Sequence, residues 1–146
     1  MIDKYIQAGK IHKKVEDYIS TKIKAGIKII DICNLIEDKI KEESFKYGEQ
    51  INNCIAFPTG ISINNVAAHY TPLYNEETIL KEDDVCKIDF GTHIDGYIID
   101  SAFTINVDKK YTKLLEESRE AVDTIIKNIG IDTKFKELSE LSQEIV

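Results

Sequence analysis

Few residues in this 146-residue sequence would take it out of the ordinary globular class: it has two prolines, seven glycines and three cysteines. So little proline and glycine excludes a low-complexity tail, and no repeat, linker or biased tract divides the chain. Cys33, Cys54 and Cys86 are odd in number, widely spaced and form no Cys-x-x-Cys. That excludes a disulfide framework and a zinc ribbon, and predicts reduced, structural thiols. No apolar run is long enough to span a bilayer, and the amino terminus reads Met-Ile-Asp-Lys rather than a basic stretch followed by an apolar one. The expectation is therefore a cytoplasmic protein with no membrane partner. A basic balance is missing too. The formal net charge is −7, with lysines interspersed among acids, which argues against nucleic acid as a partner because phosphate attraction needs a basic surface. What is present, 42% apolar and 31% charged residues, suits one domain-sized core that buries about 68–70% of the unfolded surface.

Apolar residues at Tyr5, Ile6, Ile11, Val15, Tyr18, Ile19 and Ile23 recur at helical spacing and predict a first helix, interrupted at Ala25-Gly26. A second is expected from about Ile30 to Tyr47, with Ile32, Leu35, Ile36 and Ile40 on one face and lysines and glutamates opposite; both stripes read as core. Short strands are predicted at Asn53 to Phe57 and Ile61 to Ala68, then a loop from Thr71 to Thr78. Tyr111 to Ile129 reads as a third helix capped by Gly130, and a fourth begins at Lys134. His12, in a lysine-rich stretch, is expected on the surface. The acids Glu76, Glu77, Glu82, Asp83 and Asp84 are expected to be solvated, as are Glu137, Glu140 and Glu144 on one polar helix face.

Chemistry concentrates in the segment from Asp84 to Thr104. Asp95-Gly96 between two β-rich runs is a strong two-residue hairpin signal, since both residues tolerate positive φ. Ile94 then faces Tyr97, which sets Gly91 opposite Asp100 and Asp89 opposite Ala102. Alternation puts Asp89 and Asp100 on one face as diagonal neighbours, roughly 7–8 Å apart at the backbone, close enough to converge on one ion or bridge two. That face carries Gly91, His93, Ile98, Ala102 and Thr104. The other carries Ile88, Phe90, Ile99, Phe103 and Ile105 and reads as core. Gly91 is expected to leave room for a ligand beside Asp100, and His93, near the hairpin tip, to play a structural or supporting role.

The run Asp89-Phe90-Gly91-Thr92-His93-Ile94-Asp95-Gly96-Tyr97-Ile98-Ile99-Asp100 resembles the metal-binding hairpin of type 2 methionine aminopeptidases. Asn64-Asn65-Val66-Ala67-Ala68-His69-Tyr70-Thr71-Pro72 resembles that family's histidine block, and Ala56-Phe57-Pro58-Thr59-Gly60 a third block in the expected order. Creatinase- and prolidase-like peptidases, which share the paired aspartates, fit these blocks less well. The resemblance spans essentially the whole chain. It implies an α/β (α+β) pita-bread fold, of which residues 1–146 would be the first half of the catalytic domain, an antiparallel sheet with flanking helices.

The resemblance also implies an enzyme that hydrolyses N-terminal methionine from nascent peptides whose second residue is small. Two divalent metal ions, Co, Mn, Fe or Zn, would be its cofactors. By matching motif, Asp89 and Asp100 would be metal ligands, His69 a catalytic and substrate-binding group, and Phe57 a wall of the methionine pocket. A metal pair about 3.5–4 Å apart supplies both an activated water and a polarised carbonyl, so no protein nucleophile is required. A neutral imidazole nearby can stabilise charge or shuttle a proton. The three other ligands of that family, one His and two Glu, lie in the second half of its fold. The expectation is therefore that this chain alone is inactive and that the activity belongs to a longer parent. Ribosome contact would require regions this sequence does not contain. The alternative is a non-catalytic adaptor of the same fold, binding protein or nucleic acid, or an inactive truncated product; retention of Asp89, Asp100 and His69 favours the enzyme.

Overall fold

Ala8, Ile11, Val15 and Ile19 fall on one side of a helix, and in the computed structural model, which describes residues 1–48 and 52–145, all four are buried. They belong to helix α1, Ile2–Ser20. Gly26, at φ 90°, turns the chain. Its amide donates to the Leu80 carbonyl, and further bonds from Ile29 to Thr78 and from Leu80 to Ile27 tie this turn to the segment before the hairpin. Helix α2, Ile29–Ser44, buries Ile29, Ile32, Cys33, Ile36 and Ile40 at the same periodicity and runs into a single 3-10 turn at Phe45–Tyr47. Each isoleucine taken fully from water contributes about 1.5–3 kcal/mol, so these two stripes supply much of the stabilisation of the core.

Four antiparallel strands follow: β1, Asn53–Ile55; β2, Gly60–Ile63; β3, Val85–Ile94; and β4, Tyr97–Asn106. β3 is the spine. β4 pairs along its whole length on one edge, while β1 and β2 share the other edge end to end, β1 against Thr92–Ile94 and β2 against Cys86–Asp89. Helices α1 and α2 cover the sheet face made by Ile61, Cys86, Ile88, Phe90 and Ile94, with Ile99, Phe103 and Ile105 of β4 packed at its margin. The core face is the one expected from alternation.

Helices α3, Thr112–Asn128, and α4, Phe135–Ile145, form a separate compact unit from Lys109 onward, pack on each other and bury Ala121 and Leu138. Glu137 and Glu140 pair with Lys134 and Lys136 on the exposed surface of α4, as expected of a polar helix face. No helix among the described residues is long and apolar enough to cross a membrane.

Three local expectations are corrected. The second strand ends at Ile63 rather than Ala68, because Asn64 takes φ 51° and the Val66 amide closes a turn onto Ile63. Asparagine tolerates that conformation because its short polar side chain bonds locally. Here the Asn64 amide donates to Asp84 at 2.7 Å and its oxygen accepts from the Val85 amide at 3.0 Å. Asp84 is consequently not solvated like its acidic neighbours but 6% exposed, and it also accepts from the Lys81 amide.

His12 is not on the surface either. It is 4% exposed, stacked on Phe90 at 4.1 Å between ring centroids, with Nε2 2.7 Å from the Ser101 hydroxyl and Nδ1 3.5 Å from that of Thr92. Burial pushes its pKa down, against the weaker upward pull of Glu16 and Asp100. A neutral imidazole is the form that both accepts and donates a hydrogen bond. Between the helices, the buried Glu43 carboxylate meets Lys46 at 2.7 Å, Lys39 at 3.0 Å and Lys14 at 3.4 Å. Lys46 foremost, with Lys39 and Lys14, holds its pKa down at about 2.

Candidate functional site

The hairpin has the register its turn dictates: Ile94 faces Tyr97, Gly91 faces Asp100, and Asp89 faces Ala102. Asp95 and Gly96 take φ 50° and 80°, as a primed two-residue loop requires. His93 serves this turn, its Nδ1 accepting from the Gly96 amide at 3.2 Å. Asp89 and Asp100 thus project from the face opposite the helices and line one cleft.

The other edge of β3 is interrupted at the same level. Pairing from β1 ends with the Ala56 amide donating to the Gly91 carbonyl at 2.9 Å, and pairing from β2 begins with Gly60 opposite Asp89. Between them Phe57, Pro58 and Thr59 leave the ladder, where Pro58 has no N–H to offer it. Thr59 is caught from behind instead, its amide 3.4 Å from Glu37 Oε1 and its carbonyl 3.6 Å from Cys33 Sγ. The excursion turns the Phe57 ring onto Gly91. A Cβ at Gly91 would stand 2.3 Å from Phe57 Cε1, 2.6 Å from Cδ1 and 2.9 Å from the Ala56 Cβ. The space expected to admit a ligand beside Asp100 is therefore taken by an aromatic ring, because the ring is the nearest group the ladder gap releases.

After β2 the chain reverses, and Tyr70 returns alongside it. The Ile61 amide donates to the Tyr70 carbonyl at 2.7 Å, and the Tyr70 amide to the Ser62 hydroxyl at 3.3 Å. The Tyr70 hydroxyl donates to Glu76 at 2.7 Å and secures the far side of the loop. His69, immediately before this anchored residue, adopts φ 65°. A left-handed conformation costs a non-glycine residue roughly 1–2 kcal/mol and persists only where the surroundings over-determine it.

The result is a cleft of about 310 Å³ lined by Phe57, Pro58, Gly60, His69, Thr71, Asp89 and Asp100. All four residues singled out from the sequence line it. Pro58, Gly60 and Thr71 were not assigned a role, although each lies inside a block that was recognised; the signal for Pro58 was the break it imposes on a β-rich run. A Cβ on Gly60 would lie 3.5 Å from the Asp89 Cβ, so the approach of β2 beneath the carboxylate is close.

The electrostatics disfavour two ionised carboxylates with nothing between them. Burial raises the Asp89 pKa, the adjacent Asp100 carboxylate raises it further, and His69 opposes both. Asp89 Oδ1 is buried without a hydrogen-bond partner. An orphaned buried acceptor costs about 1–3 kcal/mol, and a second carboxylate beside it cannot donate while ionised. A divalent ion removes both penalties, and an all-oxygen pair suits a hard or borderline metal rather than a thiolate site. Among the described residues no group of three or more His, Cys, Asp or Glu converges as a complete metal cage; Asp89 and Asp100 are the pair in this cleft that could hold a metal. Cys33 and Cys86 are not candidates: burial pushes their thiols up to about 12, where they are inert.

Residues 3–146 match the profile of metallopeptidase family M24. Methionine aminopeptidase 2A of Arabidopsis thaliana is 43% identical over 140 residues, 96% of this chain and 31% of the relative. Methionine aminopeptidase 2 of Dictyostelium discoideum is 42% identical over 144 residues, 96% of this chain and 32% of the relative. The chain thus spans about a third of the length of these curated relatives. Among solved structures, a methionine aminopeptidase from Thermotoga maritima superimposes with a TM-score of 0.84 at 25% identity, over 99% of this chain and 59% of that one. An Escherichia coli aminopeptidase P variant shares the fold at a TM-score of 0.81 and 19% identity, over 99% of this chain and 32% of that one. The antiparallel sheet with flanking helices is therefore the pita-bread architecture expected.

Proposed function

Because the chain belongs to metallopeptidase family M24, we propose that it forms the first part of the catalytic domain of a type 2 methionine aminopeptidase. That enzyme hydrolyses N-terminal methionine from nascent peptides whose second residue is small. The observation that carries the reading is the paired carboxylates Asp89 and Asp100, with the buried Asp89 Oδ1 left unpartnered, facing His69 and Phe57 across one cleft. The identity of about 40% to methionine aminopeptidases over 96% of the chain gives the specificity.

Asp89 and Asp100 are the residues that would hold divalent metal, two ions of Mn, Co, Fe or Zn, with one His and two Glu from the rest of the protein as the remaining ligands. Bound there, metal supplies an activated water, an electrophile for the scissile carbonyl and an anchor for the free amino terminus. The chain's own residues do the rest. His69, fixed in its left-handed conformation, presents an imidazole to the carbonyl oxygen as negative charge develops on it, or passes a proton towards the leaving amine. Phe57 offers an apolar wall to the methionine side chain. Gly60 keeps β2 close to Asp89. The setting is cytoplasmic, and any ribosome contact is made by other parts of the protein.

The test is release of free methionine from Met-Ala-Ser by the protein carrying this chain, with Mn or Co added after chelation. Metal-dependent release that disappears in Asp100→Asn supports the assignment. Equal activity in the variant, or in chelator, refutes it.

A further inference from the structure

Gly91 sits in the interior of β3, with Asp100 opposite it on β4 and, on the edge where the ladder is interrupted, the Ala56 amide bonded to its carbonyl at 2.9 Å. Its backbone does not need glycine. The glycines that take positive φ are Gly26, Gly48 and Gly96, and Gly91 is not among them. Glycine within a strand weakens it, so what is retained there must be space. The space is filled: a Cβ would fall 2.3 Å and 2.6 Å from two atoms of the Phe57 ring and 2.9 Å from the Ala56 Cβ.

We propose that Gly91 is a specificity-determining position, its missing side chain being the seat that holds the Phe57 ring back beside Asp100 and so sets the room left for the substrate's first side chain. The inference rests on the reading of Phe57 as a wall of that pocket. Ala56 is pinned by its hydrogen bond to Gly91, so it cannot yield to a new methyl group. The ring is the part that must move. Its other side is the cleft shared with His69 and Asp89, and a ring displaced into the cleft removes volume where a long unbranched side chain would lie. Gly91 acts through Phe57, so it is a positioning residue and its effect belongs to KM and to side-chain preference.

The experiment is a double-mutant cycle of Gly91→Ala and Phe57→Ala in the complete protein, read two ways. In the Mn-loaded enzyme, Gly91→Ala is expected to raise KM for Met-Ala-Ser about tenfold or more, in line with the cost of misplacing a methylene-sized contact. It should change kcat little, retain metal content, and affect an alanine-initiated peptide less. Adding Phe57→Ala should cancel most of the further loss. In urea unfolding, Gly91→Ala should destabilise the parent and be nearly neutral in the Phe57→Ala background. An additive cycle in an active enzyme, or an unchanged preference between methionine and alanine, overturns the inference alone. A parent protein that releases no methionine overturns the functional reading and the specificity role with it, while the unfolding cycle still decides whether Gly91 seats the ring.

Discussion

Replacing Asp89 with asparagine should stabilise the metal-free protein and abolish its response to metal, a pair of opposite effects that distinguishes a ligand site from a structural one. Without metal, Asp89 Oδ1 is buried and unpartnered, and the Asp100 carboxylate lies beside it. An asparagine amide removes one of the two like charges and donates a hydrogen bond to Asp100. Recovering one unsatisfied buried acceptor gives about 1 kcal/mol, at the low end of the usual 1–3 kcal/mol because Asp89 is only partly buried. For a unit of this size that is an increase of about 4 °C or more in Tm. The parent, in turn, gains about 2.7 kcal/mol when metal is at 100 times its Kd, and the variant gains none of it. Thermal unfolding followed by circular dichroism, in EDTA and then in excess Mn, should show the two proteins exchanging rank. Asp83→Asn, a change at an exposed neighbour, serves as the control and should move neither curve. An Asp89→Asn protein that melts below the parent in EDTA, or that shows the same upward shift with Mn, would refute the reasoning.

His12→Leu should cost about 2–4 kcal/mol, since it removes the Ser101 bond and the Phe90 stack and leaves the Thr92 and Ser101 hydroxyls to find other partners; chemical denaturation measures it directly. Because burial lowers the His12 pKa, its contribution is present above the unfolded value of about 6.5 and lost as pH falls below it. The parent's stability should therefore fall from that pH downward while the leucine variant's curve is flatter there. Glu43 acts in a lower window: with its pKa held at about 2, its pairing with three lysines is fully present above the ordinary carboxylate range and is lost as pH falls towards 2. Glu43→Gln should cost about 1–3 kcal/mol at neutral pH by unfolding, little of that difference surviving at pH 2, and equal stability at both extremes would show that the three ammonium groups contribute nothing.

How far the sequence could be read depended on whether a feature was set by neighbours in the chain. The register that brings Asp89 and Asp100 together was legible because a two-residue turn determines every pair after it. The stripes of α1 and α2 were legible because helical spacing alone selects their buried side. His12 was not, because what buries it is Phe90, Thr92 and Ser101, some eighty or more residues away, and a lysine-rich surrounding is the stronger local signal. Asp84 was misread for the same reason: its partner Asn64 lies across the sheet from it. The Ala56 to Gly60 block was recognisable as a block, but that it breaks a strand to lay a ring on Gly91 depends on where β1 and β2 meet β3. Likewise the left-handed backbone at His69 follows from its anchors, and no residue type announces it.

The sheet's connectivity has a consequence for how the protein reaches its folded state. Asp89 and Asp100 are joined by one tight turn, and a hairpin of this kind closes in about 1–10 μs. Asn53 must find Ile94 across forty-one positions, so the walls bearing Phe57 and His69 arrive later, when non-local contacts can offset their loop-closure entropy. The two acids are therefore brought face to face while still open to water, before burial makes their proximity expensive. A divalent cation present at that stage would meet a preformed pair of ligands, and the walls would close over an ion already held rather than over two opposing charges.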